Sequence, residues 1–276
     1  MTISVQTNAS AIIALQNLNK TASDLQGAQN TISTGLQINN AKDNASVWSI
    51  AQGQRANVGA LGAVQSSLNR ASSIAEVAQT AGQSISDLLN QIKQKVVAAQ
   101  DPSLDQASRD AYNTDFKSLL RQVSDVVNNA SFDGANILNG SLAGNISFLA
   151  NADATSFITL SVQNMSLGGG IISIGATATI GTLTSAQGVL AQINTAIKKV
   201  NSALGDIGAQ ATEIQNHTIF VSKLSDVLNQ GIGNLVDADM AKESAQLQAL
   251  QAQQQLGVQA LSIANAAPQI VLSLFR

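Results

Sequence analysis

From Leu61 to Ala99, apolar residues recur in alternating steps of three and four without a slip: Leu61, Val64, Leu68, Ala71, Ala75, Ala78, Gly82, Ile85, Leu89, Ile92, Val96 and Ala99. Such spacing holds one stripe on one helix face and requires a partner helix along its whole length. With the approach from Val47, it predicts a helix of roughly fifty residues and about 75 Å, at ~1.5 Å per residue. Helices in compact domains are far shorter; rods and coiled coils reach this length. Asp101-Pro102 ends the run, since proline lacks an amide donor and disfavours helix in the residue before it. Ser103 with Gln106 makes a capping-box pattern for the next helix, whose inner face would carry Phe116, Leu119, Val123 and Val126.

The second half mirrors the first. Thr184 with Gln187 is another capping-box pattern, and Ile193, Ile197, Val200, Leu204, Ile207, Ala211, Ile214, Val221 and Leu228 trace a second long seam. Both chain ends carry shorter seams: Leu15, Leu18, Ala22, Leu25, Ile32 and Leu36, interrupted by Gln29, and Leu247, Leu250, Gly257, Leu261 and Ala264, interrupted by Gln254. Chain ends are normally polar and frayed; these advertise partners, found only on assembly. Asp237 and Asp239 suit the positive start of the last helix. Between the long seams, glycines punctuate short β-branched runs such as Phe157–Val162 and Ile171–Ile174, a signature of hairpins. The Gly- and Ser-rich run from Ser141 to Thr184 is expected to supply scarcely any core.

The expected fold is mainly α: a long coiled-coil-like rod formed by the N- and C-terminal halves, with a small central β-hairpin region. Its divisions fall at 1–44 (terminal helix and spoke), 45–130 (rod helices), 131–183 (β region), 184–235 (rod helix) and 236–276 (terminal helix). Composition agrees: the chain is 45% hydrophobic, yet only 11% charged and 3% aromatic. Thin cores between helices need few large rings, and helices with few charges have outer faces that also meet protein.

A net charge of −3 gives no support for nucleic-acid binding. The absence of cysteine removes disulfides, thiolate metal sites and cysteine nucleophiles. With His217 the one histidine, histidine-rich metal sites and Ser-His-Asp chemistry lack their parts. Gly168-Gly169-Gly170 is not followed by Lys-Ser/Thr, so it reads as a turn and not a phosphate loop. No cofactor, enzymatic activity or membrane insertion is expected, and the amino-terminal stretch lacks the pattern of a cleavable signal.

Several local stretches strongly resemble bacterial flagellin. Thr31-Ile-Ser-Thr-Gly-Leu-Gln-Ile-Asn-Asn-Ala-Lys-Asp43 is similar to the family's amino-terminal signature. Phe132-Asp-Gly-Ala-Asn-Ile-Leu-Asn-Gly140 is similar to its turn between rod and β region. The ending Ala264-Asn-Ala-Ala-Pro-Gln-Ile-Val-Leu-Ser-Leu274 is the most specific of the three. The resemblance covers roughly residues 1–140 and 184–276, with a middle too short for bulky outer domains. In the stretch that corresponds to the family's receptor-detected face, Gln91 and Gln94 stand where Arg and Glu are usual, which removes a bidentate donor.

The resemblance implies a structural subunit of the flagellar filament. It would be exported uncleaved by the flagellar type III apparatus to the extracellular filament used for swimming. Implied partners are other flagellins in a helical homopolymer, an export chaperone, the filament cap and hook-associated proteins. The assembly interface is expected at Leu15, Leu18, Leu25, Ile32, Leu36, Leu247, Leu250, Leu256, Leu261, Val271, Leu272 and Phe275. By location alone, Ser147, Thr155, Ser161, Ser166, Thr177 and Thr179 are eligible for the O-linked sugars some flagellins carry. The alternatives are a hook–filament junction protein, which would form one thin ring, and a soluble coiled-coil adaptor, which would form closed dimers.

Overall fold

A computed structural model of the chain describes the backbone of residues 7–273 and the side chains of residues 7–266. In chain order the elements are α1 (Ala9–Thr34), α2 (Ala45–Ala98), α3 (Gln106–Asn129), β1 (Ile146–Leu149), β2 (Phe157–Leu160), α4 (Leu183–Val236) and α5 (Met240–Ser273). Two compact units result: residues 57–226, and residues 1–56 together with 227–276.

In the 57–226 unit every residue of the Leu61–Ala99 stripe is buried. Leu68, Ile85, Leu89, Ile92 and Val96 have no exposed surface at all; burying such a side chain is worth ~1.5–3 kcal/mol. Ile74 and Ala81 add a second buried stripe to α2, and Ala81 lies in a groove shared with Val126 and Ala130 at the end of α3. On α4 the seam differs from the sequence reading. Ala196 and Ala203 take the innermost positions, while Ile197 and Leu204 are only half-buried. Close approach is the cause: a Cβ added at Gly82 would come within 2.6 Å of Leu204 Cδ2. At that separation the alanines fit between the helices and the larger neighbours are displaced to the flanks.

The caps also differ from the expected ones. Asp105, not Ser103, is the N-cap of α3, its carboxylate accepting from the Ser108 amide at 2.8 Å. Ser103 instead donates its amide and hydroxyl to Asp101. These bonds hold both carboxyls below their ordinary pKa, Asp101 through the Ser103 hydroxyl first and Asp105 through Ser108. At the start of α4, Thr182 and Ser185 exchange side-chain to amide bonds of 3.2 and 3.1 Å, two residues before the predicted box. The buried guanidinium of Arg109 donates to the carbonyls of Ala99, Asp101 and Leu104, tying together the turn between α2 and α3.

The middle stretch holds one antiparallel hairpin, in which Ile146 pairs with Leu160 and Leu149 with Phe157. It is tied to the helices by Leu149 N–H donating to Ser67 Oγ (3.1 Å) and Ser161 N–H to Gln210 (2.7 Å). Ile171–Ile174 is not a strand. The expectation that this stretch supplies little core is corrected: Met165, Ile172, Ile174 and Ile180 have no exposed surface. Asn113 of α3 holds the same stretch by accepting from the Thr179 hydroxyl and the Ile180 amide. Ile172 and Ile174 belong to a run read as a hairpin strand, whereas Met165 and Ile180 stand singly and carry no periodicity to announce them.

Candidate assembly surface

The terminal unit is built around α1 and α5, which run antiparallel. Asn8 near the start of α1 donates to the Ala264 carbonyl at 2.7 Å. Past the other end of α1, which closes on Gly35 in the left-handed region, Leu36 forms a bridge with Asp237. There the amide of Gln37 donates to the Val236 carbonyl (2.8 Å) and that of Ala238 to the Gly35 carbonyl (2.9 Å). Asp43 accepts from the amides of Asn39 and Asn40 and so holds the turn that follows. Asp239 caps α5 by accepting from Ala241 and Lys242. Of the two aspartates expected at that helix start, Asp237 serves the bridge instead.

The seam between α1 and α5 uses Ala11, Ala14, Leu18, Thr21, Leu25, Ala28 and Ile32 on one side. Facing them are Glu243, Leu247, Leu250, Gln254, Gly257, Leu261 and Ala264. The α5 seam positions of the sequence reading, Leu247, Leu250, Gly257, Leu261 and Ala264, all lie on this seam. On α1 the register alternates with the smaller neighbour, so Ala14 and Ala28 replace Leu15 and Gln29. A Cβ added at Gly257 would sit 3.1 Å from Leu18 Cδ1, and that proximity favours the smaller residue. The terminal stripes, expected to find partners only on assembly, are thus laid against each other within one chain.

What remains open is a second set of apolar residues. Of the expected interface residues, Leu18, Leu25, Ile32, Leu36, Leu247 and Leu261 are half-buried and Leu250 is buried. Leu15 is 46% exposed and Leu256 64%. Val271, Leu272 and Phe275 lie outside the described residues. Beside Leu15 and Leu256, the exposed large side chains Ile12, Ile13, Val258 and Ile263 went unread in the sequence. The run Ile12-Ile13-Ala14-Leu15 was the available signal, because consecutive apolar residues cover more than one face of a helix. Gln246, Gln248, Gln251, Gln253 and Gln255 fill the rest of the α5 surface with exposed amides.

The candidate modification residues divide by what their hydroxyls already do. Thr155 accepts from Asn151, Ser161 accepts from Gln210, Ser166 donates to Asn164 and Thr179 donates to Asn113. Ser147 and Thr177 are exposed and have no hydroxyl partner among the described residues. Among those residues no group of His, Cys, Asp and Glu could hold a metal ion, and no helix is long and apolar enough to cross a membrane.

Comparison with known proteins bears on this arrangement. Residues 5–143 match the bacterial flagellin N-terminal helical region and residues 190–275 the bacterial flagellin C-terminal helical region. The chain is 51% identical to Flagellin FljJ of Caulobacter vibrioides, over all of this chain and 99% of that one. It is 39% identical to a flagellin of Brucella melitensis, over 99% of each. Among solved structures, a Vibrio parahaemolyticus chain described as a flagellar hook-associated protein superposes with a TM-score of 0.56 at 14% identity, covering 71% of this chain and all of that one. At that identity the likeness is one of fold alone. Two helical termini packed on each other, a short β region and this span of identity converge: the chain belongs to the bacterial flagellins, the structural subunits of the flagellar filament.

Proposed function

We propose that this subunit joins its neighbours through the outward faces of its terminal helices. The observation that carries the reading is that Ile12, Ile13, Leu15, Leu256, Val258 and Ile263, all large and apolar, stand exposed on helices that already have each other as partners. So many large apolar side chains left in water on two neighbouring helices suit a protein contact, and a filament grows through contacts whose rotation does not close into a ring. Residues 1–44 and 236–276 then form the inner layer, with Leu36, Val271, Leu272 and Phe275 contributing to the same interface. Residues 45–130 and 184–235 form the next layer, and 131–183 reach the surface. The amide-rich face of α5 suits a water-filled bore that must not grip passing subunits.

Export by the flagellar type III apparatus, with a chaperone, places the subunit outside the cell. It assembles beneath a filament cap, with hook-associated proteins at the base, and the filament serves swimming. Ser147 and Thr177 are the preferred positions for any O-linked sugar, since their hydroxyls are exposed and unengaged.

Seeded growth tests the interface. Wild-type protein should elongate filament seeds, and Ile263→Asp should not, while the 57–226 unit melts unchanged. Normal elongation by Ile263→Asp would overturn the assignment of this face.

A further inference from the structure

The stretch that leads from α3 to the hairpin holds the one Asn-Gly pair of the chain, Asn139-Gly140. An asparagine side chain can close a cyclic imide on the backbone nitrogen that follows it, provided that nitrogen is unhindered and free. Glycine, with no Cβ, leaves it open to close approach. Neither reacting group is held here: the Gly140 amide and Asn139 Nδ2 make no hydrogen bond among the described residues. Gly140 is exposed and Asn139 half-buried, so water reaches both. The third group is engaged in a way that helps. Asn139 Oδ1 accepts from the Ser141 amide at 2.9 Å, which bends the side chain forward along the backbone. The same donor steadies the negative charge that Oδ1 takes on when Cγ is attacked.

Asn136, three residues earlier, shows the opposite arrangement. It is buried, its Nδ2 donates to the Val127 carbonyl at 2.8 Å, and its Oδ1 accepts from the amides of Leu138 and Asn139. The residue after it is Ile137, whose branched side chain crowds the nitrogen that would attack. One asparagine of this stretch is locked and the other is left reactive.

We propose that Asn139 is a site of spontaneous covalent modification in the folded chain, losing its side-chain amide to the nitrogen of Gly140. A base in the solvent removes the Gly140 amide proton, and the nitrogen forms a bond to Cγ. The Cγ–Nδ2 bond breaks, Nδ2 takes up a proton and leaves as ammonia, and the cyclic imide remains. One water then opens the ring. Cleavage between the Gly140 nitrogen and Cγ gives an ordinary aspartate. Cleavage between that nitrogen and the Asn139 carbonyl carbon leaves the chain running through Cγ, an isoaspartate whose backbone is one methylene longer. Either product adds one negative charge at neutral pH. The position gives the change reach into the core. The carbonyls of Ile137 and Leu138 accept from the amides of Gln163 and Met165 at 2.8 and 2.7 Å, and Met165 has no exposed surface. Gly140 stands at φ 71° under Asn164, where an added Cβ would come within 2.6 Å of Asn164 Nδ2. A backbone lengthened there has no room on that side, so isoaspartate loosens the pairing with residues 163–165. None of this depends on the filament reading.

The test uses the folded full-length chain, kept in mildly alkaline buffer made with heavy-oxygen water and sampled by peptide mass spectrometry. The heavy oxygen separates conversion during incubation from conversion during digestion. Isoaspartate is read by methyl transfer from an isoaspartate methyltransferase. Conversion should appear first at Asn139, quicken with rising pH as the attacking nitrogen loses its proton more readily, and leave Asn136 intact. Asn139→Gln, whose longer side chain closes the ring poorly, should lose the methyl-acceptor signal. In the separated isoaspartate form, amide exchange at Gln163 and Met165 should be faster than in the unmodified chain. An intact Asn139 in the folded chain would overturn the proposal, most directly if the same residue converts in urea, because the turn would then be protecting it. Conversion to aspartate with no isoaspartate would mean direct hydrolysis and would overturn the imide route. Unchanged exchange at Gln163 and Met165 would overturn the reach into the core.

Discussion

In the 57–226 unit the heptad stripe of α2 is sealed from Leu61 to Ala99, whereas on the α1–α5 seam Ala28 and Leu250 alone among the described residues are buried. Both seams follow the same three-and-four spacing. The difference is the number of neighbours. Within its unit α2 buries two stripes, the long heptad and the one carrying Ile74 and Ala81. Each terminal helix has one seam and one long partner, and a helix touching one neighbour keeps most of its girth in water. Where that girth is apolar, as at Ile12, Ile13, Val258 and Ile263, the proposed filament contacts would cover it. Seam pattern tells that a helix has a partner; it does not tell how many.

The comparison breaks most visibly at Leu261. Leu261→Asp puts a carboxylate into the half-closed terminal seam, at a cost of several kcal/mol where the charge has no partner. We expect no filaments by electron microscopy, with the 57–226 unit folded, while Thr177→Asp, at an exposed position, is nearly silent. Filaments of normal length from Leu261→Asp would show the terminal seam to be dispensable.

The next effect tests depth of burial. Leu89→Ala and Ile172→Ala remove side chains with no exposed surface and should each lower unfolding stability by about 2–5 kcal/mol in urea titrations. Leu18→Ala, on the half-open seam, should cost clearly less in the unassembled protein and more in filament stability. Equal losses for Leu89→Ala and Leu18→Ala in the monomer would erase the contrast between units. A silent Ile172→Ala would restore the expectation that the middle stretch is loosely held.

Arg109→Met sharpens the account of how α2 ends. It leaves the carbonyls of Ala99, Asp101 and Leu104 without their shared donor, a loss of about 1–3 kcal/mol. Faster amide exchange should be confined to the α2–α3 turn; exchange spread over all of α2 would contradict a local role.

The smallest effect is in pH. Asp101 and Asp105 titrate below their ordinary value of 3.8 in the folded chain. The stability they contribute is therefore present above that value and lost as pH falls through the depressed ones. Lys95 titrates above 10.5, chiefly through its hydrogen bond to Asp115, so its contribution is present below 10.5 and lost as pH rises through the raised value. All three are solvent-exposed, and the changes should be slight beside those above. Asp105→Asn keeps the cap and should flatten part of the acid limb of a melting curve.

Much of this was legible in the residues. The α2 stripe was read without error because its heptad runs unbroken over many turns, holding even where a larger apolar neighbour stands beside it, as Ile74 beside Ala75 and Val77 beside Ala78. On α1 and α4 the reading slid by one residue at alternate steps, preferring Leu15 to Ala14, Ile197 to Ala196 and Leu204 to Ala203. Bulk was taken as the mark of burial, but close-packed helices reserve the innermost place for what fits. The burial of Met165 and Ile180 depends on contacts between residues far apart in sequence, which spacing cannot report.

The bridge between Leu36 and Asp237 has a kinetic consequence. It joins backbone positions about 200 residues apart, a closure that would cost about 5 kcal/mol of chain entropy on the (3/2)RT ln n scaling if it formed first, from an unfolded chain. Nothing local repays that cost: α1 has no partner until α5 exists. The 57–226 unit, by contrast, can begin from the α2–α3 hairpin, whose members are adjacent in sequence. Folding is thus ordered by contact distance, with the middle first and the ends last. Once the 57–226 unit has folded, only the short stretches that flank it are left to search, so the terminal helices pair last and at a smaller entropic cost than their separation in sequence suggests.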